Sequence, residues 1–148
     1  MSEPISVTLT RQSGYQFLVD FGPAIAQLTS DEPPPLGAAA GPAPNHLLLA
    51  AVANCLSASL VFALQKFKQE PGPLKATATA TTGRNENNRL RITHIGVQLE
   101  LGRPGGELEH LDRVLSQFEE FCTVSMSVRQ GIAIDIQVRD SDGAVLKG

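Results

Sequence analysis

The chain has 148 residues, no tryptophan and a single tyrosine, and aromatics make up only 5% of it. That scarcity argues against a stacking platform for single-stranded nucleic acid, which needs rings along a basic groove. An excess of positive charge is missing as well. Lys and Arg number 12 against 15 Asp and Glu, for a net charge of -3. A nucleic-acid binder would need a basic stripe to neutralise phosphates, so no nucleic-acid partner is expected. Met1-Ser2-Glu3-Pro4 lacks a basic stretch leading into an apolar run. The expected location is therefore the cytoplasm, where structural disulfides are rare. Cysteine is scarce too, with only Cys55 and Cys122. No close Cys or His pair offers the spacing of a structural zinc site, so neither a metal nor a cofactor is expected. His46 precedes Cys55 by nine positions, which on one helix means half a turn of net rotation and roughly 13 Å of rise. His94 and His110 read as ordinary surface or edge histidines.

What is present is ordinary globular composition, 42% hydrophobic and 18% charged, long enough for one domain with its own core. A single domain over residues 1–148 is expected. Ile5 to Thr10 alternates apolar and polar residues, as a half-buried strand does. A turn at Gln12-Ser13-Gly14 leads to a second strand, Tyr15 to Val19, and Ala24 to Thr29 completes a meander after the Gly22-Pro23 break. Asp31 to Pro44 is a loop rich in Pro and Gly. A long helix follows from about Pro44 to about Lys68, started by proline and ended by Pro71-Gly72-Pro73. Lys75 to Thr82 and Arg89 to Leu101 read as strands, with a bulge near His94-Ile95-Gly96 where the parity slips. Leu108, Leu111, Val114, Leu115, Phe118, Phe121 and Cys122 fall on one face of a second helix. A short helix from Thr123 to Arg129 and a last strand through Ile132, Ile134, Ile136 and Val138 close the chain. The order β-β-β, α, β-β, α-α, β implies an α+β fold with helices packed on antiparallel sheet.

The first helix is too apolar for a surface position. No charged residue occurs between Pro33 and Gln65 when His46 is neutral. Its length would suit a bilayer. Asn54, Ser57 and Ser59, the many alanines and the absence of interfacial Trp or Tyr favour a soluble core helix, and no membrane partner is expected. A helix apolar on all sides must be buried on all sides. One small domain can hardly enclose it, so an intimate homodimer is expected.

Cys55 lies in the middle of that helix, and Cys122 lies on the core-facing stripe near the end of the second. Each alone reads most simply as a small buried hydrophobe. A redox pair is the sharper alternative, and it requires a nucleophilic thiol activated by a nearby cation. The candidates by position are Arg11 and Arg129.

Asp31-Glu32-Pro33-Pro34-Pro35-Leu36-Gly37 and Gly41-Pro42-Ala43-Pro44, leading into Leu47 to Cys55, resemble the loop and central helix of the OsmC/Ohr family. Phe121-Cys122-Thr123-Val124-Ser125 with Val128-Arg129-Gln130-Gly131-Ile132 is similar to that family's second cysteine segment. The resemblance spans nearly the whole chain. It implies antiparallel sheets packed on a long buried central helix and a second helix, in an intertwined homodimer with active sites at the subunit interface. It also implies a peroxidase acting on organic hydroperoxides, with Cys55 attacking, Cys122 resolving, Arg11 beside the thiolate and a dithiol, lipoyl-type reductant in some members. Asn45 stands where the hydroperoxide-specific members carry Glu, which places the chain nearer the broad OsmC-like branch. The alternative is an OsmC-like protein that binds a small apolar ligand or senses redox state without turnover.

Overall fold

Alternating polar and apolar residues mark several of the strands in the computed structural model, which describes residues 3–148. Met1 and Ser2, on which the reading of the N-terminus partly rests, lie outside the described residues. The contacts divide the chain into two compact units, one ending at Leu48 and one spanning Leu49–Gly148.

The N-terminal unit holds an antiparallel sheet in the order β1-β2-β3, with β1 at Thr8–Ser13, β2 at Gln16–Asp20 and β3 at Leu28–Ser30. The expected meander is present, but β1 starts later than Ile5, and β3 is shorter and later than Ala24–Thr29. The reason is pairing. Thr8 opposes Asp20, the last residue of β2, so Ile5 to Val7 find no partner there despite their alternation. The loop that follows is organised by Asp31, whose buried carboxylate accepts the N–H groups of Ala40 (3.1 Å), Ala38 (3.0 Å) and Glu32 (2.8 Å). The bonds from Ala40 and Ala38 hold this carboxyl below the usual carboxylate range, against the opposing effect of burial.

The long helix α1 runs Pro44–Lys66. Its start carries one half of a capping box. The His46 ring Nδ1 accepts the Ala43 N–H at 3.0 Å, the place a Glu side chain takes in a capping box. It ends in a left-handed residue, Lys68, with the Gln69 N–H donating to the Leu64 carbonyl (3.0 Å), so helical carbonyls are satisfied before Pro71 stops the chain.

The C-terminal unit holds a four-stranded sheet in the order β4-β5-β6-β7, with β4 at Lys75–Arg84, β5 at Leu90–Glu100, β6 at Ala133–Arg139 and β7 at Val145–Lys147. The register shift expected near His94 is there. Thr81 pairs His94 while Thr82 pairs Ile92, which leaves Thr93 as the extra residue. Two features differ from the sequence reading. First, β5 and β6 are parallel, so the sheet is mixed. A parallel pair needs a long crossover, and the segment between β5 and β6 supplies it. Second, β7 was not expected. It is three residues long and returns after a turn whose backbone N–H groups at Asp142 and Ala144 are gathered by Asp140.

The crossover also corrects the second helix. Instead of one helix over 108–122, the chain forms α2 at Leu111–Gln117, a 3-10 turn at Phe118–Phe121 and α3 at Thr123–Val128. The tighter 3-10 winding changes the angular order of the side chains. Phe118 and Cys122 stay buried, while Phe121 turns outward and is 41% exposed. Buried Ile95, Val97, Leu99, Ile134 and Val138 on one face of the sheet, with Val52, Leu56, Leu60 and Leu64 of α1 and Val114, Leu115 and Phe118 of the crossover, form the core of this unit. Ala51, Asn54, Ala58 and Phe62 of α1 remain exposed on the single chain. By length and composition α1 could cross a bilayer, and a third of its apolar window is buried in this fold.

Candidate active site

Helical geometry places Cys55, Ala58, Ser59 and Phe62 along one face of α1, because residues three, four and seven apart line up. Together with Phe121 from the 3-10 turn they line a mainly apolar cleft of about 440 Å3. Phe62 and Phe121 meet edge to face, with ring centroids 5.3 Å apart at 76°. The Lys66 ammonium sits over both rings, 5.5 Å and 4.9 Å from their centroids. The sequence reading missed this aromatic mouth. The signal was the seven-residue spacing of Phe62 from Cys55; the outward turn of Phe121 had none.

The structure brings the two cysteines together. Cys55 is partly buried, Cys122 fully so, and both are free thiols. Cys122 is not at the end of a long helix; it caps the start of α3, and its Sγ accepts the Ser125 N–H at 3.4 Å. The Cys122 thiol and the backbone N–H groups of Val124 and Thr123 lie close enough to Cys55 to act on its sulfur. Burial, reinforced by the Cys122 thiol, pushes the Cys55 thiol up from its ordinary value; the two backbone N–H groups pull the other way without reversing the shift.

Each candidate cation has a partner of its own within its unit. Arg11 lies on β1, exposed, with its Nε donating to the Gly14 carbonyl at 2.9 Å. Arg129 pairs with Glu119 at 3.2 Å, and Lys147 pairs with the other oxygen of the same carboxylate. These two ion pairs fasten the segment that carries Cys122, since the Cys122 N–H donates to the Glu119 carbonyl at 3.0 Å. The histidines have specific partners. His94 bonds Asp135 at 2.6 Å, and the His110 ring stacks on Phe67 at 4.9 Å. Among the described residues no three His, Cys, Asp or Glu side chains converge as a metal site would require. A separate open cleft of about 510 Å3 lies on the outer face of the mixed sheet, lined by Thr77, Thr79, Gln98, Asp135 and Gln137 among others, with no nucleophilic thiol.

Comparison with known proteins agrees with this architecture. No curated protein sequence matches the chain. Among solved structures, an OsmC-like protein of unknown function from Vibrio cholerae is 16% identical, covering 93% of this chain and 99% of that one with a TM-score of 0.77. An organic hydroperoxide resistance protein from Elizabethkingia anophelis is 19% identical over 95% of this chain and 100% of that one, with a TM-score of 0.70. An organic hydroperoxide resistance protein from Legionella pneumophila is 15% identical over 93% and 98%, with a TM-score of 0.69. At such identities these neighbours establish the fold. The family model described as OsmC-like protein matches residues 37–137, more than half of the sequence and both cysteines. This chain belongs to the OsmC-like protein family.

Proposed function

We propose that the protein is a thiol peroxidase that reduces organic hydroperoxides in oxidative stress defence. The observation that carries this reading is a pair of neighbouring free thiols, one of which, Cys55, lines an apolar, aromatic-rimmed cleft. Two neighbouring structures named for organic hydroperoxide resistance share the fold. In the reaction, the Cys55 thiolate attacks the peroxide O–O bond. An S–O bond forms, the O–O bond breaks and the alcohol leaves with a proton, so Cys55 becomes a sulfenic acid. Cys122 then attacks the Cys55 sulfur, releasing water and forming the disulfide. An external dithiol, of lipoyl type, restores both thiols by exchange. The apolar walls favour organic peroxides over hydrogen peroxide.

The chain's own neighbours raise Cys55, so activation calls for a cation. Arg11 is the candidate, and a homodimer with sites at the subunit interface is the assembly in which it would act. The same raised thiol favours the second reading, in which the cleft holds an apolar ligand and the cysteines merely line it. The deciding experiment follows loss of cumene hydroperoxide by the reduced protein with dihydrolipoamide as donor. Turnover that vanishes in Cys55→Ser and drops steeply in Arg11→Met supports the peroxidase. No turnover, with both thiols still titrating as free, refutes it and leaves ligand binding.

A further inference from the structure

Ser125 has no exposed surface, and its hydroxyl is the one buried side-chain polar atom without a hydrogen-bond partner among the described residues. Helical serines ordinarily bond back to a carbonyl one turn earlier, as Ser57 and Ser127 do here at 2.7 Å and 2.8 Å. Leaving a hydroxyl unpaired inside a protein is unfavourable, and such a group calls for a physical reason. The location supplies one, because the N–H of the same residue donates to the Cys122 Sγ at 3.4 Å. The hydroxyl can turn about a single bond among its staggered positions.

We propose that Ser125 is a catalytic residue of the resolving step, its hydroxyl donating to the Cys122 sulfur as that sulfur becomes a thiolate. This rests on the reading of Cys122 as the thiol that closes the disulfide. Cys122 is fully buried, and a thiolate there needs donors to replace water. A neutral thiol is a weak acceptor, so the hydroxyl gains little in the resting state. Charge developing on sulfur makes the bond a charge-assisted one, so the donor acts where charge appears rather than on the ground state. The Cys122 sulfur attacks the Cys55 sulfur and the S–S bond forms. The S–O bond of the Cys55 sulfenic acid breaks, and its oxygen leaves as hydroxide. That hydroxide takes up the proton given up by Cys122 and becomes water. Ser125 keeps its own proton throughout.

The test uses an aromatic disulfide, so that it does not depend on peroxide chemistry. Reduced protein is mixed with one equivalent of 5,5′-dithiobis(2-nitrobenzoate). Attack by the more accessible Cys55 releases one thionitrobenzoate, and attack by Cys122 on the resulting mixed disulfide releases the second. In Ser125→Ala the first release should be unchanged and the second slowed about tenfold or more, the scale of one hydrogen bond to a charged group. Ser125→Thr, which keeps the hydroxyl, should resolve at close to the wild-type rate. Melting of Ser125→Ala at or above the wild-type temperature establishes an intact fold, since an orphaned group has been removed. A second release as fast in Ser125→Ala as in wild type overturns the proposal, and so does Ser125→Thr as slow as alanine. Repeating the oxidation with cumene hydroperoxide separates the two readings. If wild type is not oxidised by it while the second release still depends on Ser125, the peroxidase assignment falls and the role of Ser125 stands.

Discussion

Replacing Glu119 by Gln removes one negative charge that two cations share. Arg129 binds one carboxylate oxygen and Lys147 the other. An exposed ion pair contributes about 0.2–1 kcal/mol, whereas breaking a fully buried one costs about 3–5 kcal/mol. Glu119 has 20% of its side chain exposed, Arg129 39% and Lys147 31%. Each pair therefore falls between the two limits, near about 1 kcal/mol, and the two together near about 2 kcal/mol. For a chain of this length about 1 kcal/mol moves the melting temperature by roughly 2–4 °C. Glu119→Gln should then melt roughly 4–8 °C below wild type in low salt. At 1 M salt the screening length falls to about 3 Å, and the gap should narrow clearly. Circular dichroism melts of both proteins at the two salt levels measure this. A gap below about 1 °C, or one that salt leaves unchanged, would show that the two pairs do not hold the segment by charge.

Other expectations follow from the same geometry. Phe62→Ala, Phe121→Ala and the double variant form a cycle whose coupling in stability should be about 0.5–1.5 kcal/mol, and additivity would mean the edge-to-face contact contributes nothing. If the cleft selects apolar peroxides, Phe121→Ala should raise KM for cumene hydroperoxide and leave the rate with hydrogen peroxide unchanged. Asp31 and Asp140 have carboxyls held below their ordinary value of 3.8. A depressed folded value means that their stabilisation is complete above the unfolded value and is lost as pH falls through the folded one. The stability deficit of Asp140→Asn should thus be constant at neutral pH and shrink below pH 3.8, as urea titrations at a series of pH values would record. Gly102→Ala should destabilise by about 3 kcal/mol or more, since the added carbon would meet the Pro73 backbone on a segment stiffened by Pro71 and Pro73. An unchanged midpoint in urea would contradict that packing.

How much of this was legible in the residues differs by level. The limits of α1 were readable because Pro44 and the Pro71-Gly72-Pro73 run act locally on the backbone. The bulge at Thr93 was readable because a parity slip is itself a sequence pattern. The break between α2 and α3 was not. The stripe from Leu108 to Cys122 satisfies helical spacing throughout, and only packing distinguishes a 3-10 turn at Phe118–Phe121 from a continued helix. The parallel pairing of β6 was hidden for a similar reason, since Ile134 and Val138 would be buried in either direction. At the candidate site the two thiols were visible as residue types, but their nearness depends on that crossover. The solitary hydroxyl of Ser125 looks in sequence like any other serine.

The crossover has a consequence for the timing of synthesis. Strand β6 can pair with β5 only after the chain through Arg139 exists, and long-range parallel pairing is slow to form. Chain growth at about 5–20 residues per second brings Cys55 out of the ribosome several seconds before Cys122. During that interval Cys55 has neither the neighbour that could close a disulfide with it nor the α3 N–H groups that face it in the finished fold. An oxidant met then would carry the lone thiol up the oxidation ladder instead of into a disulfide. On the proposed reading of Cys55 and Cys122 as a redox pair, the nascent chain is then the form in which peroxide would do Cys55 the most harm.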